Sequence, residues 1–332
     1  MKRFINYIVI LIFLSSYISK SSEKELKLLN RNQVYNLRIL RVYDKRLPDL
    51  DNREYEKLYQ LFIKDVKEYL GYNIKFKKIG KVEILDFFNL FEKDFKKSEN
   101  QEILSTDIEL NSDIDKQRLK LVIENIIKKL GNNITYYLPF NTKNDFQKIK
   151  NSLYNNFIKK INEIREIKIN NTENFYNKVY YKTQSYVYWS IIANNVKTAD
   201  IIITNTMIAS ADTGMPIYVI NRGGITSGFV ENNNSNFPYY GVGVIGLFQY
   251  ISKDQFFIKY RDLIPKDELL NVISMLFTHE MGHLLMRADE MYIPEAGVHT
   301  APVDLQYYKW YKKIKQMKDK HPIDWIPRLK KF

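Results

Sequence analysis

Five consecutive residues, His279-Glu280-Met281-Gly282-His283, bring two imidazoles and a carboxylate into one short run. On a helix, the four-residue spacing sets both imidazoles on one face, about one turn apart. Two neutral imidazoles so placed can hold one Zn²⁺ at about 2.0–2.1 Å each. Glu280 is offset from that face and reaches a water on the metal rather than the metal itself. Such a metal lowers the pKa of the water, and the carboxylate takes its proton as general base. This is machinery for adding water to an amide carbonyl, with Glu280 as the catalytic residue. The chain has only 4 His, and two of them stand in this pattern. The rival reading is a pair that merely packs or caps at a helix end, which is costly to satisfy inside a core.

A catalytic zinc needs a third protein ligand and an open fourth position. The chain has no Cys, so the donors must be His, Asp or Glu. That count also excludes a disulfide scaffold, a Cys-ligated zinc finger, an iron–sulfur cluster and a thiol nucleophile. Asp289, Glu290, Glu295 and His299 follow the pair closely. Chemistry alone leaves Asp289 and His299 both open.

The run HEMGHLLMRADEMY resembles the zincin metallopeptidases and, within them, the metzincins, whose pattern is His-Glu-x-x-His-x-x-Gly-x-x-His or Asp. An Asp in the last position is similar to the snapalysin and immune-inhibitor-A-like secreted peptidases. The resemblance implies that His279, His283 and Asp289 hold one catalytic zinc. It also implies a twisted mixed sheet, an active-site helix and a cleft beside the sheet edge. By the same resemblance the strand before that helix, at 241–248, would be the edge that receives an extended substrate. The family's Gly after the second His is Met286 here, and no clear Met-turn follows.

The elements that must position these residues are legible in the patterning. Residues 34–44 alternate as a strand, and 51–70 carry apolar residues at helical spacing up to Gly71. Residues 73–79 alternate again, so the opening is strand–helix–strand, which favours parallel pairing. From 82 to 195 the pattern turns helical, with helices expected at 112–130, 142–167 and 174–195. Strands return at 199–205, 215–221 and 241–250. Pro265 then opens the helix that carries the His pair and runs to about Met286. The fold class is therefore α+β: a mixed sheet with an active-site helix and a large helical insertion. Residues 20–81 and 196–308 form the catalytic part and 82–195 the insertion.

Two other patterns carry little. Gly241, Gly243 and Gly246 match a dinucleotide-binding fingerprint, but that fingerprint needs a helix opening at the glycines, and residues 247–252 read as strand. Residues 223–228 read as a turn-rich loop.

At 332 residues the chain can bury a substantial core, and 45% hydrophobic residues argue against wholesale disorder. Lys2 and Arg3, the apolar run 4–14 and the small residues Ser15, Ser16 and Ser19 have the shape of a secretory signal over 1–19, so export is expected. A lipoprotein is excluded, because lipidation needs a Cys. The net charge is +13, and residues 309–332 hold nine basic residues against Asp319 and Asp324, so more than half of it is tail. With Trp310, Tyr311, Trp325 and Phe332 interleaved, that tail suits an anionic membrane or cell-wall surface. A helix docked by its aromatics is the alternative. No nucleic-acid motif accompanies the charge. The expectation is an exported, monomeric zinc endopeptidase acting on peptides or proteins. Its rival is an exported binding or adhesion module that keeps a metal for structure alone.

Overall fold

The computed structural model describes residues 29–99, 146–169, 173–174, 181–209, 221–222, 224–227, 241–288, 294–300, 302 and 305–318, with scattered positions between 117 and 131. The opening unit follows its patterning. Strand β1 (Val34–Tyr43) leads to helix α1 (Asn52–Leu70), and strand β2 (Asn73–Glu83) returns parallel to β1. Helix α1 starts where it does because Asp51 and Glu54 form a reciprocal cap. The Glu54 amide donates to Asp51 Oδ1 at 2.7 Å, and the Asp51 amide donates to Glu54 Oε2 at 2.8 Å.

Helices α2 (Ile84–Asn89), α3 (Glu92–Glu99), α4 (Phe146–Arg165) and α5 (Tyr186–Asn195) come from the helical stretch. Three short strands of the main sheet follow: β3 (Ile201–Thr204), β4 (Gly224–Ser227) and β5 (Val242–Gly246). The chain then runs through α6 (Phe248–Ile251), α7 (Gln255–Tyr260), α8 (Leu269–Met286), a 3₁₀ turn at Pro294–His299 and α9 (Tyr307–Met317). The five strands make one sheet in the order β2-β1-β3-β5-β4. The first four are parallel, and β4 closes the sheet antiparallel to β5. The mixed sheet and the α+β class expected from the sequence are both present.

The period-2 alternation of the strands divides the core between the two faces. Leu37 and Ile39 of β1, Ile201 and Ile203 of β3 and Ile245 of β5 pack with α1 and α8. Val42, Ile202 and Val244 point the other way, onto α2, α3 and α5. The first face is joined by Phe62 of α1 and Phe277 of α8, whose rings stack at 3.8 Å and 6°. The second is centred on Trp189, fully buried among Phe87, Phe88 and Phe95. Helices α2, α3 and α5 thus pack against this face of the sheet. At the carboxyl ends of β1 and β3, the Asn205 amide group donates to the carbonyls of Asp44 and Pro48, and its oxygen accepts from the Asp44 amide at 2.8 Å.

Three expectations need correction. The stretch 241–250 is a strand only to Gly246, and the chain continues as α6. β5 is not an edge: it is buried throughout and lies between β3 and β4. Among the described residues the edge on that side is β4, within residues expected to form a turn-rich loop. Gly243 and Gly246 sit inside a paired strand, so they do not form a phosphate-binding loop. The signal segment 1–19, the start of the 142–167 helix and most of the 215–221 strand lie outside the described residues. Among the described residues no helix is long and apolar enough to cross a membrane.

Candidate metal centre

Helix α8 is apolar on every side, and from Val272 to Met286 each residue is buried. Such a helix belongs in the middle of a domain, and it carries the His pair into the interior. His279, Glu280 and His283 are 3%, 6% and 5% exposed. The polar atoms of the helix are matched locally. Thr278 Oγ1 donates to the Ser274 carbonyl, and Ser274 Oγ donates to Asp65 of α1 at 2.5 Å. Burial pushes the Asp65 carboxyl above the usual range, and the Ser274 bond offsets part of that push.

Each imidazole is fixed by a backbone carbonyl. His279 Nδ1 lies 2.7 Å from the Val298 carbonyl, and His283 Nδ1 lies 2.6 Å from the Ala288 carbonyl. A carbonyl only accepts, so both Nδ1 atoms donate. In the neutral rings both Nε2 atoms then carry lone pairs. Those two Nε2 atoms converge to 3.3 Å. Two ligands on a tetrahedral ion with 2.0–2.1 Å arms stand roughly 3.3–3.4 Å apart, so the spacing fits one zinc. The rings meet edge to face, with centroids 4.7 Å apart at 84°. Trp310 of α9 lies edge-on to His279, with ring centroids 6.0 Å apart.

The chain turns away from the pair at Arg287, which adopts left-handed backbone angles (φ 54°), while the Ala288 amide donates to the Gly282 carbonyl at 3.1 Å. The sharp turn that the family pattern assigns to a glycine therefore occurs one residue after Met286. Asp289, the third ligand implied by the resemblance, and Glu290 lie outside the described residues, as does the side chain of Glu295. His299 is buried and packs over the helix at Gly282, where an added Cβ would stand 2.9 Å from its Nδ1. Among the described residues no third His, Cys, Asp or Glu completes a metal-holding group with the pair. His299 is thus brought near the helix but not into a three-ligand cluster.

Glu280 faces the sheet edge. A Cβ added to Gly224 of β4 would stand 2.5 Å from Glu280 Oε1 and 2.6 Å from its Cγ. The strand backbone and the carboxylate are in direct contact only because residue 224 has no side chain. Sequence reasoning placed Gly224 in a turn and missed this contact; the adjacent glycines were its only signal. Tyr250 of α6 was missed as well. It is buried, its ring lies 4.6 Å from that of Tyr307, and burial pushes its hydroxyl far above the usual tyrosine range, with Tyr307 and Glu280 adding to the push. It therefore stays a neutral hydroxyl.

The start of the basic tail is structural. Tyr307, Trp310, Tyr311 and Ile314 are buried, whereas Lys309, Lys312, Lys315 and Lys318 face outward. Trp310 and Tyr311 are thus committed to the core, as in the docked-helix alternative. No protein-family model, curated protein or solved structure matches the chain.

Proposed function

We propose that the chain is an exported zinc-dependent endopeptidase. The observation that carries this reading is the convergence of two Nε2 lone pairs to 3.3 Å, each ring oriented by a carbonyl behind it. His279 and His283 would hold the ion, with Asp289 as the third ligand that the zincin-like pattern implies. The ion would supply Lewis acidity, lowering the pKa of water and polarising a carbonyl. Glu280 is one position along the same helix, buried and within reach of that chemistry. Its part is to take the proton from the attacking water and pass it to the leaving amine.

The sheet supports a polypeptide substrate. Among the described residues β4 is the last strand on its side of the sheet, and an outer edge there offers amide and carbonyl groups to an extended chain. Because Gly224 touches Glu280, a peptide added along β4 would pass the base. A mixed sheet packed on the helix that bears the His pair is also part of the arrangement that the zincin-like pattern implies.

The test is zinc titration and peptide digestion with the full chain. The parent should bind one zinc and cleave unstructured polypeptide. Glu280→Gln should keep the zinc and lose at least 10²–10⁴-fold in turnover, the usual contribution of a general base. His279→Ala should lose the zinc. A parent that binds no zinc, or a Glu280→Gln protein that cleaves as fast as the parent, would defeat this reading.

A further inference from the structure

The two imidazoles are oriented in different ways. His283 relies on Ala288, five residues downstream in the turn that ends its own helix. His279 relies on Val298, nineteen residues downstream. Val298 belongs to neither an α-helix nor a strand. It follows Gly297, where the 3₁₀ turn breaks (φ 59°, ψ −130°), and within the turn the Thr300 amide donates to the Gly297 carbonyl at 3.1 Å. A carbonyl there needs an outside anchor to keep its direction.

The anchor is Trp310. Its indole N–H donates to the Thr300 carbonyl at 2.7 Å, two residues past Val298, and the same ring lies edge-on to His279 at 6.0 Å. Trp310, Val298 and Thr300 are all buried. Helix α9 is held in turn at both ends of its buried face. The Asp262 carboxylate accepts from the amides of Lys309 at 2.7 Å and Tyr308 at 3.2 Å, and Tyr311 and Ile314 enter the core. We infer that Trp310 is a positioning residue for His279: it fixes the turn whose Val298 carbonyl orients the imidazole, and its ring walls that imidazole from the side. This rests on the reading of the pair as a metal site. It makes α9 part of the ligand's support, with only its lysine-bearing face left for other contacts.

Carbonyl and carboxylate partners behind metal-binding imidazoles typically contribute 10–100-fold to metal affinity, and Trp310 supports one such partner. The experiment uses the full chain with Trp310→Phe, which keeps a ring in place and removes the N–H. Ile314→Ala is the control, since it lies on the same buried helix face without a link to the turn. Zinc affinity is read by chelator competition, folding by thermal unfolding, and the imidazole N–H resonances by NMR on zinc-free protein. The expected result is a folded Trp310→Phe protein that binds zinc about tenfold more weakly. Its His279 Nδ1–H signal broadens or disappears, while that of His283 persists. Ile314→Ala should lose stability and keep both the affinity and the two signals. Unchanged affinity and signals in Trp310→Phe would overturn the inference. So would an equal loss in Ile314→Ala, which would make α9 a general brace. If the parent binds no zinc, the metal reading fails, and the two N–H signals still decide whether Trp310 orients His279.

Discussion

Gly224 offers the sharpest test of how the sheet edge serves Glu280. In Gly224→Ala the new methyl would lie 2.5 Å from Oε1, 2.6 Å from Cγ and 2.7 Å from Cδ, where ordinary contact begins near 3.4 Å. The carboxylate or the strand must retreat by about 0.9 Å, since carbon–oxygen repulsion at the starting distance is prohibitive. The strand is paired to Ile245 of β5, and Glu280 is on a helix buried all round, so neither gives freely. A misplacement of about 1 Å typically costs about 100-fold in rate, equivalent to about 2.7 kcal/mol of barrier. Overpacking should also cost about 1–3 kcal/mol of stability. The His pair is on another face of α8, so zinc affinity should hold. The assays are kcat/KM on a quenched peptide, zinc titration and urea unfolding, each repeated in a Glu280→Ala background. Removing the glutamate side chain removes the clash, so the stability cost of Gly224→Ala should vanish there. An equal cost in both backgrounds, with unchanged kcat/KM in the parent background, would refute the contact.

Two further outcomes follow from the packing. Burial raises the Asp65 carboxyl's pKa, with smaller effects from Ser274, Lys64, Glu68 and Lys315, so the folded protein holds that proton more tightly than the unfolded chain. The linked stability is present below the ordinary Asp range and lost as pH rises through the raised value. Asp65→Asn stays neutral and can still accept from Ser274. It should therefore raise the melting temperature at pH 7, with a gain that shrinks as pH falls toward about 4; a gain independent of pH would count against burial as the cause. Phe277→Ala should cost about 3–5 kcal/mol in chemical denaturation, because it leaves Phe62 facing a cavity between α1 and α8. A cost below about 1 kcal/mol would mean that the stacked pair does not join the helices.

Local chemistry was legible in the sequence, and long-range contact was not. The alternation of 34–43 and the helical spacing of 52–70 gave β1 and α1 to within a residue or two, because each pattern is fixed by the faces the element buries. The His pair was legible for the same reason, since four-residue spacing on a helix is a local fact. The edge strand was not. The pairing of β4 with β5 is set by register across a stretch of intervening chain, and Gly224 next to Arg222 and Gly223 carries only the local signal of a turn. α6 and α7 were missed because 247–260 is aromatic and apolar without clear periodicity, and short helices there are stabilised by tertiary contacts. One comes from the half-buried Arg261, which donates to the carbonyls of Gln249 and Tyr250.

The same division explains why the metal site is only half local. The sequence pattern contains the carbonyl partner of His283, in the turn that ends the helix. The carbonyl partner of His279 lies beyond it. Its partner comes from the Pro294–His299 turn, and that turn is tied to α9 through Trp310. A copy of 269–288 alone would therefore keep the carbonyl behind His283 and lose the one behind His279. Fixing the second ring restricts its χ1 and χ2 before the ion arrives, which lowers the ordering cost of binding. The aromatic spacing of 307–314, which by composition alone suited a surface-binding tail, is better explained by that requirement. Tyr307, Trp310, Tyr311 and Ile314 recur at three- and four-residue intervals because they face the core, with Trp310 against His279, and the lysines between them occupy the positions left over.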